Sequence, residues 1–192
     1  MAGVPPPFDV RSGRPEPGRG ALLYSIGHST RAEDDFVALL HAYTIAALAD
    51  VRTIPASRRH PQFGSDRLRD RLARDAIEYR HMPELGGLRR PRPDSANTAW
   101  TNDAFRGYAD YMETKEFKSG VESLLELAAA RVVAFMCAEA VWWRCHRRLL
   151  SDALLARGAE VRHILTPSEA PPHQLPPFAR IVEGRVAYTS LF

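Results

Sequence analysis

Five short strand-like segments alternate with stretches of helical periodicity along this chain. Leu22 to Ile26, Ile45 to Val51, Ile77 to Met82, Val132 to Met136 and Val161 to Leu165 read as strands. Val132 to Met136 is continuously apolar, the pattern of a strand buried on both faces. Between the strands, apolar residues recur at helical spacing. Phe36, Leu39, Leu40 and Tyr43 form one face, with Thr30 and Glu33 as a capping box. Leu68 and Leu72 form a second face after Ser65 as cap. Phe105, Tyr108, Ala109 and Met112 form a third. Phe117, Val121, Leu124, Leu125 and Ala128 follow Thr114 as cap. A last helix is expected from about Trp142, with Cys145, Leu149 and Ala153 on one face and Gly158 ending it.

Strands alternating with helices predict parallel pairing through right-handed crossovers. The expected fold is α/β, a Rossmann-like three-layer sandwich with a mainly parallel sheet of about five strands. Residues 1–20 are rich in Pro, Gly and Arg and read as a disordered tail. Residues 21–166 read as a single α/β domain. Residues 167–192 read as a C-terminal extension or arm, with a small hairpin near Ile181 to Tyr188. Leu88 to Asn102 is a long polar loop, a length that often marks a lid or binding loop.

Composition narrows the class. The 192 residues are 45% hydrophobic, as in an ordinary soluble globule. No segment has the apolar length of a signal peptide core or a membrane span, so a cytoplasmic location with no membrane partner is expected. Two cysteines in that setting read as reduced thiols. The net charge of +3 is mild support for anionic partners. Lysine occurs only at 115 and 118, so arginine carries almost all the basic charge and position matters more than number.

Candidate chemistry gathers just past the strand ends, where open α/β sheets bind ligands. These positions hold His28 and Ser29, then Asp50, Arg52 and Arg58, then Glu84, then Cys137 and Glu139, with Arg147 opening the last helix. Cys137 reads either as a nucleophile or redox residue with a lowered pKa, or as a small buried hydrophobe. Cys145 reads as facing the core. His28, Glu84 and Glu139 are candidate proton-transfer groups. Ser29, Asp50, Arg52, Arg58 and Arg147 are candidate substrate-binding residues. The spacing from Cys137 to Cys145 and His146 matches no common zinc pattern, and no metal ligands are assigned. Six residues separate Cys137 from Arg144, one too many for a phosphatase loop, and that turn has no glycine. No cofactor is indicated.

Several of these blocks together resemble the bacterial and archaeal domain of unknown function 488 family. They are Ser25-Ile26-Gly27-His28-Ser29-Thr30, Asp50-Val51-Arg52, Pro55 with Ser57-Arg58-Arg59, Pro61-Gln62-Phe63, and His81 with Pro83-Glu84-Leu85-Gly86-Gly87. The last is Cys137-Ala138-Glu139 followed by Cys145-His146-Arg147. The resemblance spans about Leu22 to Leu165. It implies a compact α/β domain with one cluster of polar motifs, and no established activity.

The residues themselves lead to three expectations. The first is an enzyme acting on a small anionic substrate, of nucleotide or nucleic-acid origin, with Cys137 as nucleophile or redox centre. The second is a nucleic-acid-binding module using the basic loop and tails. The third is a metal-dependent hydrolase.

Overall fold

The computed structural model describes residues 20–56 and 59–189. The expected tail, except Gly20, and Arg58 therefore lie outside the described residues. Five parallel strands form one sheet in the order β3-β2-β4-β1-β5. They are β1 (Leu22–Gly27), β2 (Ala47–Asp50), β3 (Glu78–His81), β4 (Val133–Cys137) and β5 (Glu160–His163). Five α-helices flank it: α1 (Glu33–Ala42), α2 (Ser65–Ala73), α3 (Asp103–Tyr111), α4 (Lys115–Ala130) and α5 (Arg147–Ala156). The fold is the expected α/β three-layer sandwich. A two-stranded antiparallel hairpin, β6 (Arg180–Val182) with β7 (Arg185–Ala187), stands apart from the sheet.

The alternation of side chains along each strand builds the two cores. Leu23, Ala47, Ala49, Val133, Phe135 and Cys137 point to the face covered by α3, α4 and α5. Ile26, Leu48, Ala134 and Met136 point to the face covered by α1 and α2. The helices after β1 and β2 thus lie on one side, and the helix after β4 lies on the other. Strand β4 sits between β1 and β2, so its C-terminal end is the topological switch point of the sheet.

Local signals fared unevenly. Thr114 caps α4, its hydroxyl accepting from Phe117 N at 3.3 Å. Gly158 follows α5 with φ of +82°, a conformation that suits glycine. The capping box at Thr30 does not form. Arg31 N bonds to His28 O at 3.1 Å, which closes a turn, and α1 starts only after Ala32. Gly64, not Ser65, is the cap of α2. The helix expected from Trp142 is split into a 3-10 turn, Trp142–Arg144, and α5. Cys145 lies between them in extended backbone.

The long polar loop is pinned rather than open. Buried Asp110 on α3 accepts from Arg92 N, Ser95 Oγ and Asn97 Nδ2, each within 2.8 Å. These bonds, with Arg92 nearby, hold the Asp110 carboxyl below its ordinary pKa against the opposing effect of burial. Replacing Asp110 with Ala removes the acceptor for three donors. The variant is expected to lose about 1–3 kcal/mol and to show fast amide exchange across 88–102. Hydrogen-exchange mass spectrometry measures both, and unchanged protection would show that the loop is held by other contacts.

Candidate active site

The polar strand ends form two networks on opposite faces of the sheet edge. On the α1 and α2 side, Asp50 is fully buried at the end of β2. It accepts from Arg52 Nε at 2.8 Å, from Arg52 Nη2, and from Tyr79 OH at 2.7 Å. Arg52 also donates to Phe63 O and contacts His28 Nε2 at 3.4 Å. His28 donates through Nδ1 to Ser29 O at 2.9 Å and stacks on Phe63 with ring centroids 4.2 Å apart. Burial lowers its pKa to about 4. His28 is therefore a neutral brace for Arg52, its free nitrogen already occupied. Ser29 contributes backbone, its N–H bonding to Ala138 O at 3.0 Å.

On the α5 side, Arg147 organises a different group. Its guanidinium is 1% exposed. It donates from Nε to Cys145 Sγ at 3.2 Å, from Nη1 to Ser25 Oγ at 3.2 Å, and from Nη2 to the carbonyls of Glu139 and Ala140. Cys137 Sγ, at the end of β4, lies 3.3 Å from Cys145 Sγ. Glu139 N donates to Cys137 Sγ at 3.3 Å. Among the described residues no carboxylate lies within ion-pairing distance of Arg147. The ionisable groups near it whose anionic form would balance its charge are the two cysteines.

Of the two readings of Cys137, its surroundings favour the small buried residue, and the two thiols shift in opposite directions. Burial pushes the Cys137 pKa up, and hydrogen bonding to Cys145 adds to that rise. The Cys145 pKa falls, through hydrogen bonding from Cys137 and then the charge and N–H groups of Arg147. Cys145 is buried, as expected, yet its sulfur meets the chemistry of the site.

The remaining candidates separate. Glu139 takes part through its backbone, and the residue is exposed. Glu84 packs near Gly120 of α4 and Tyr111, away from both networks. Arg52 and Arg147 direct their donors into separate networks, so no common anion clamp is formed between them. Exposed Arg144 lies next to Cys145 in sequence and makes no ion pair among the described residues.

Residues outside the expected set complete the α5 side. His146 donates to Val51 O at 3.1 Å and rests on Gly87, where a Cβ would come within 2.9 Å of the ring. Burial lowers its pKa to about 4. Further in, Asp152 accepts from Tyr188 OH at 2.6 Å and from His173 Nε2 at 2.7 Å. His173 Nδ1 in turn lies 3.0 Å from His163 Nε2, and His163 Nδ1 is buried without a partner. His163 is the register neighbour of Ser25 across β1 and β5. Its ring stacks on Trp142 at 3.8 Å, and burial lowers its pKa to about 2.

Among the described residues no group of three or more His, Cys, Asp or Glu side chains is placed to hold a metal ion. No helix among them is long and apolar enough to cross a membrane. A cavity of about 530 Å³ lies between α4 and the β6–β7 hairpin, but no cysteine or histidine lines it.

Fold and site together define a class: a parallel α/β sandwich with a thiol pair and a buried arginine at its switch point. A family model, Domain of unknown function DUF488, matches residues 33–154, and the chain belongs to that family. The match falls within the stretch expected from the motifs and includes both cysteines. Neither the curated proteins nor the solved structures compared with the chain gave a match.

Two outcomes follow from this geometry. A Cβ on Gly27 would lie 1.8 Å from Glu139 O, the carbonyl that Arg147 holds. Gly27→Ala is expected to cost about 3 kcal/mol in urea unfolding and to expose the thiols, and native-like stability would contradict the packing. The depressed histidines set an acid limb. Below about pH 6.5 the unfolded chain takes up protons that folded His28, His146 and His163 refuse, so stability falls as pH drops. The loss levels off for His28 and His146 only near pH 4. Each contributes a slope of about 1.4 kcal/mol per pH unit in that window. Urea midpoints at pH 7.5 and 5 for the parent and His146→Gln check this, the variant showing the shallower fall.

Proposed function

We propose that this protein is an enzyme that uses the thiolate of Cys145, paired with the Cys137 thiol, on a small anionic substrate at the end of β4. The observation that carries this reading is the buried guanidinium of Arg147 beside Cys145 Sγ, with no carboxylate to balance it among the described residues. A guanidinium is always charged, and burying a charge unpaired costs several kcal/mol. A thiolate is the anion at hand, and it is the nucleophilic form of cysteine. Exposed Arg144, next to Cys145, supports an anionic substrate of nucleotide or nucleic-acid origin. The hydrolase reading finds no metal-holding group among the described residues.

Brief iodoacetamide labelling followed by peptide mass spectrometry tests the proposal. Cys145 is expected to label before Cys137 near neutral pH, and Arg147→Met to slow its labelling at least about 10-fold. Labelling of Cys137 first, or of neither thiol until the protein unfolds, contradicts it. A module that only binds nucleic acid would instead lose affinity steeply with salt and be indifferent to alkylation.

A further inference from the structure

We propose that Cys137 and Cys145 are a dithiol–disulfide couple that exchanges with small organic disulfides. The proposal rests on the thiolate reading of Cys145 and adds a second reactive sulfur and a substrate class. Three observations carry it. The two sulfurs are 3.3 Å apart and face each other. A disulfide bond needs about 2.05 Å, so closure requires an approach of only about 1.2 Å. Cys145 lies in extended backbone between the 3-10 turn and α5; its N–H bonds to Trp142 O and its carbonyl accepts from Arg148 N at 3.1 Å, so the approach is made by side-chain rotation with both bonds kept. The backbone N–H of Glu139 points at Cys137 Sγ from 3.3 Å and is placed to stabilise negative charge as that thiol loses its proton.

The chemistry balances in two displacements. Cys145 thiolate attacks one sulfur of a disulfide R–S–S–R. A mixed disulfide forms on Cys145, the substrate S–S bond breaks, and R–S⁻ leaves. The proton of Cys137 passes to that leaving thiolate. The Cys137 thiolate then attacks Cys145 Sγ, the mixed disulfide breaks, and a second R–S⁻ leaves. The protein loses two electrons and the substrate disulfide gains them. Closing the bond removes the anion beside Arg147 and leaves its charge uncompensated. The reduced form is thereby favoured, which marks the internal disulfide as one that is easily reduced again.

The test uses the whole protein with bis(2-hydroxyethyl) disulfide, acid quenching and intact mass. The native protein is expected to lose about 2 Da with release of both reagent thiols. Cys137→Ser is expected to stop at the mixed disulfide on Cys145 with release of one, and Cys137→Ala to do the same if the serine variant folds poorly. Cys145→Ser is expected not to react on that timescale. A native protein that accumulates the mixed disulfide without closing it overturns the couple while leaving the Cys145 nucleophile intact. Failure of either cysteine to react until the protein is unfolded overturns both readings.

Discussion

The site depends on one buried charge that has no carboxylate among the described residues. Arg147 is held by Ser25 from β1, by the carbonyls of Glu139 and Ala140 after β4, and by Cys145 just before its own helix. The hydroxyl and the two carbonyls satisfy N–H groups but cannot balance the charge, which leaves the Cys145 sulfur as the acceptor that could. In a water-excluded setting that imbalance favours an anion nearby. The same contacts tie α5 to the switch point of the sheet. Gly27 makes this possible, since the absence of a side chain there lets the Glu139 carbonyl approach both β1 and the guanidinium.

The opposite face solves the same problem differently. Arg52 is also buried, but Asp50 neutralises it through two contacts and Tyr79 completes the carboxylate. With donors spent on Asp50, Phe63 and His28, that network positions the loop after β2. It also reaches the thiol side indirectly, because His146 donates to Val51 O and His81 donates to Arg52 O at 2.8 Å. One arginine is therefore structural and complete, while the other retains electrostatic demand. The proposed reactivity is therefore the one beside the second.

The sheet was legible because its signals are local and repetitive. Strand-like segments of five to seven residues between periodic helices predict a layered parallel sheet without its strand order. The gathering of polar residues at the strand ends follows from topology, which made Cys137, Arg147 and Asp50 visible as candidates. Which sulfur meets the Arg147 guanidinium was not legible. It depends on whether the backbone at Cys145 is helical or extended, and the helical period runs straight through that position. The Asp152, His173 and His163 chain was hidden for another reason. His173 reaches Asp152 only because the segment after β5 folds back, with His173 N on Val161 O at 2.7 Å, and no spacing encodes that return. The division of Arg52 and Arg147 between faces was likewise beyond a list of strand ends, since facing depends on alternation at each strand's last residues.

The central claim is that Arg147 holds Cys145 as a thiolate in the folded protein. Ultraviolet thiolate absorbance followed against pH, in the parent, Cys145→Ser and Cys137→Ser, measures it most directly. The account predicts that the parent ionises one thiol well below the usual range near 8.5, at a midpoint of about 6. It predicts that this step vanishes in Cys145→Ser and persists in Cys137→Ser, where a hydroxyl replaces the neighbouring thiol. A parent protein in which no thiol ionises below 8.5, or in which the low step is lost with Cys137 and kept without Cys145, would contradict it.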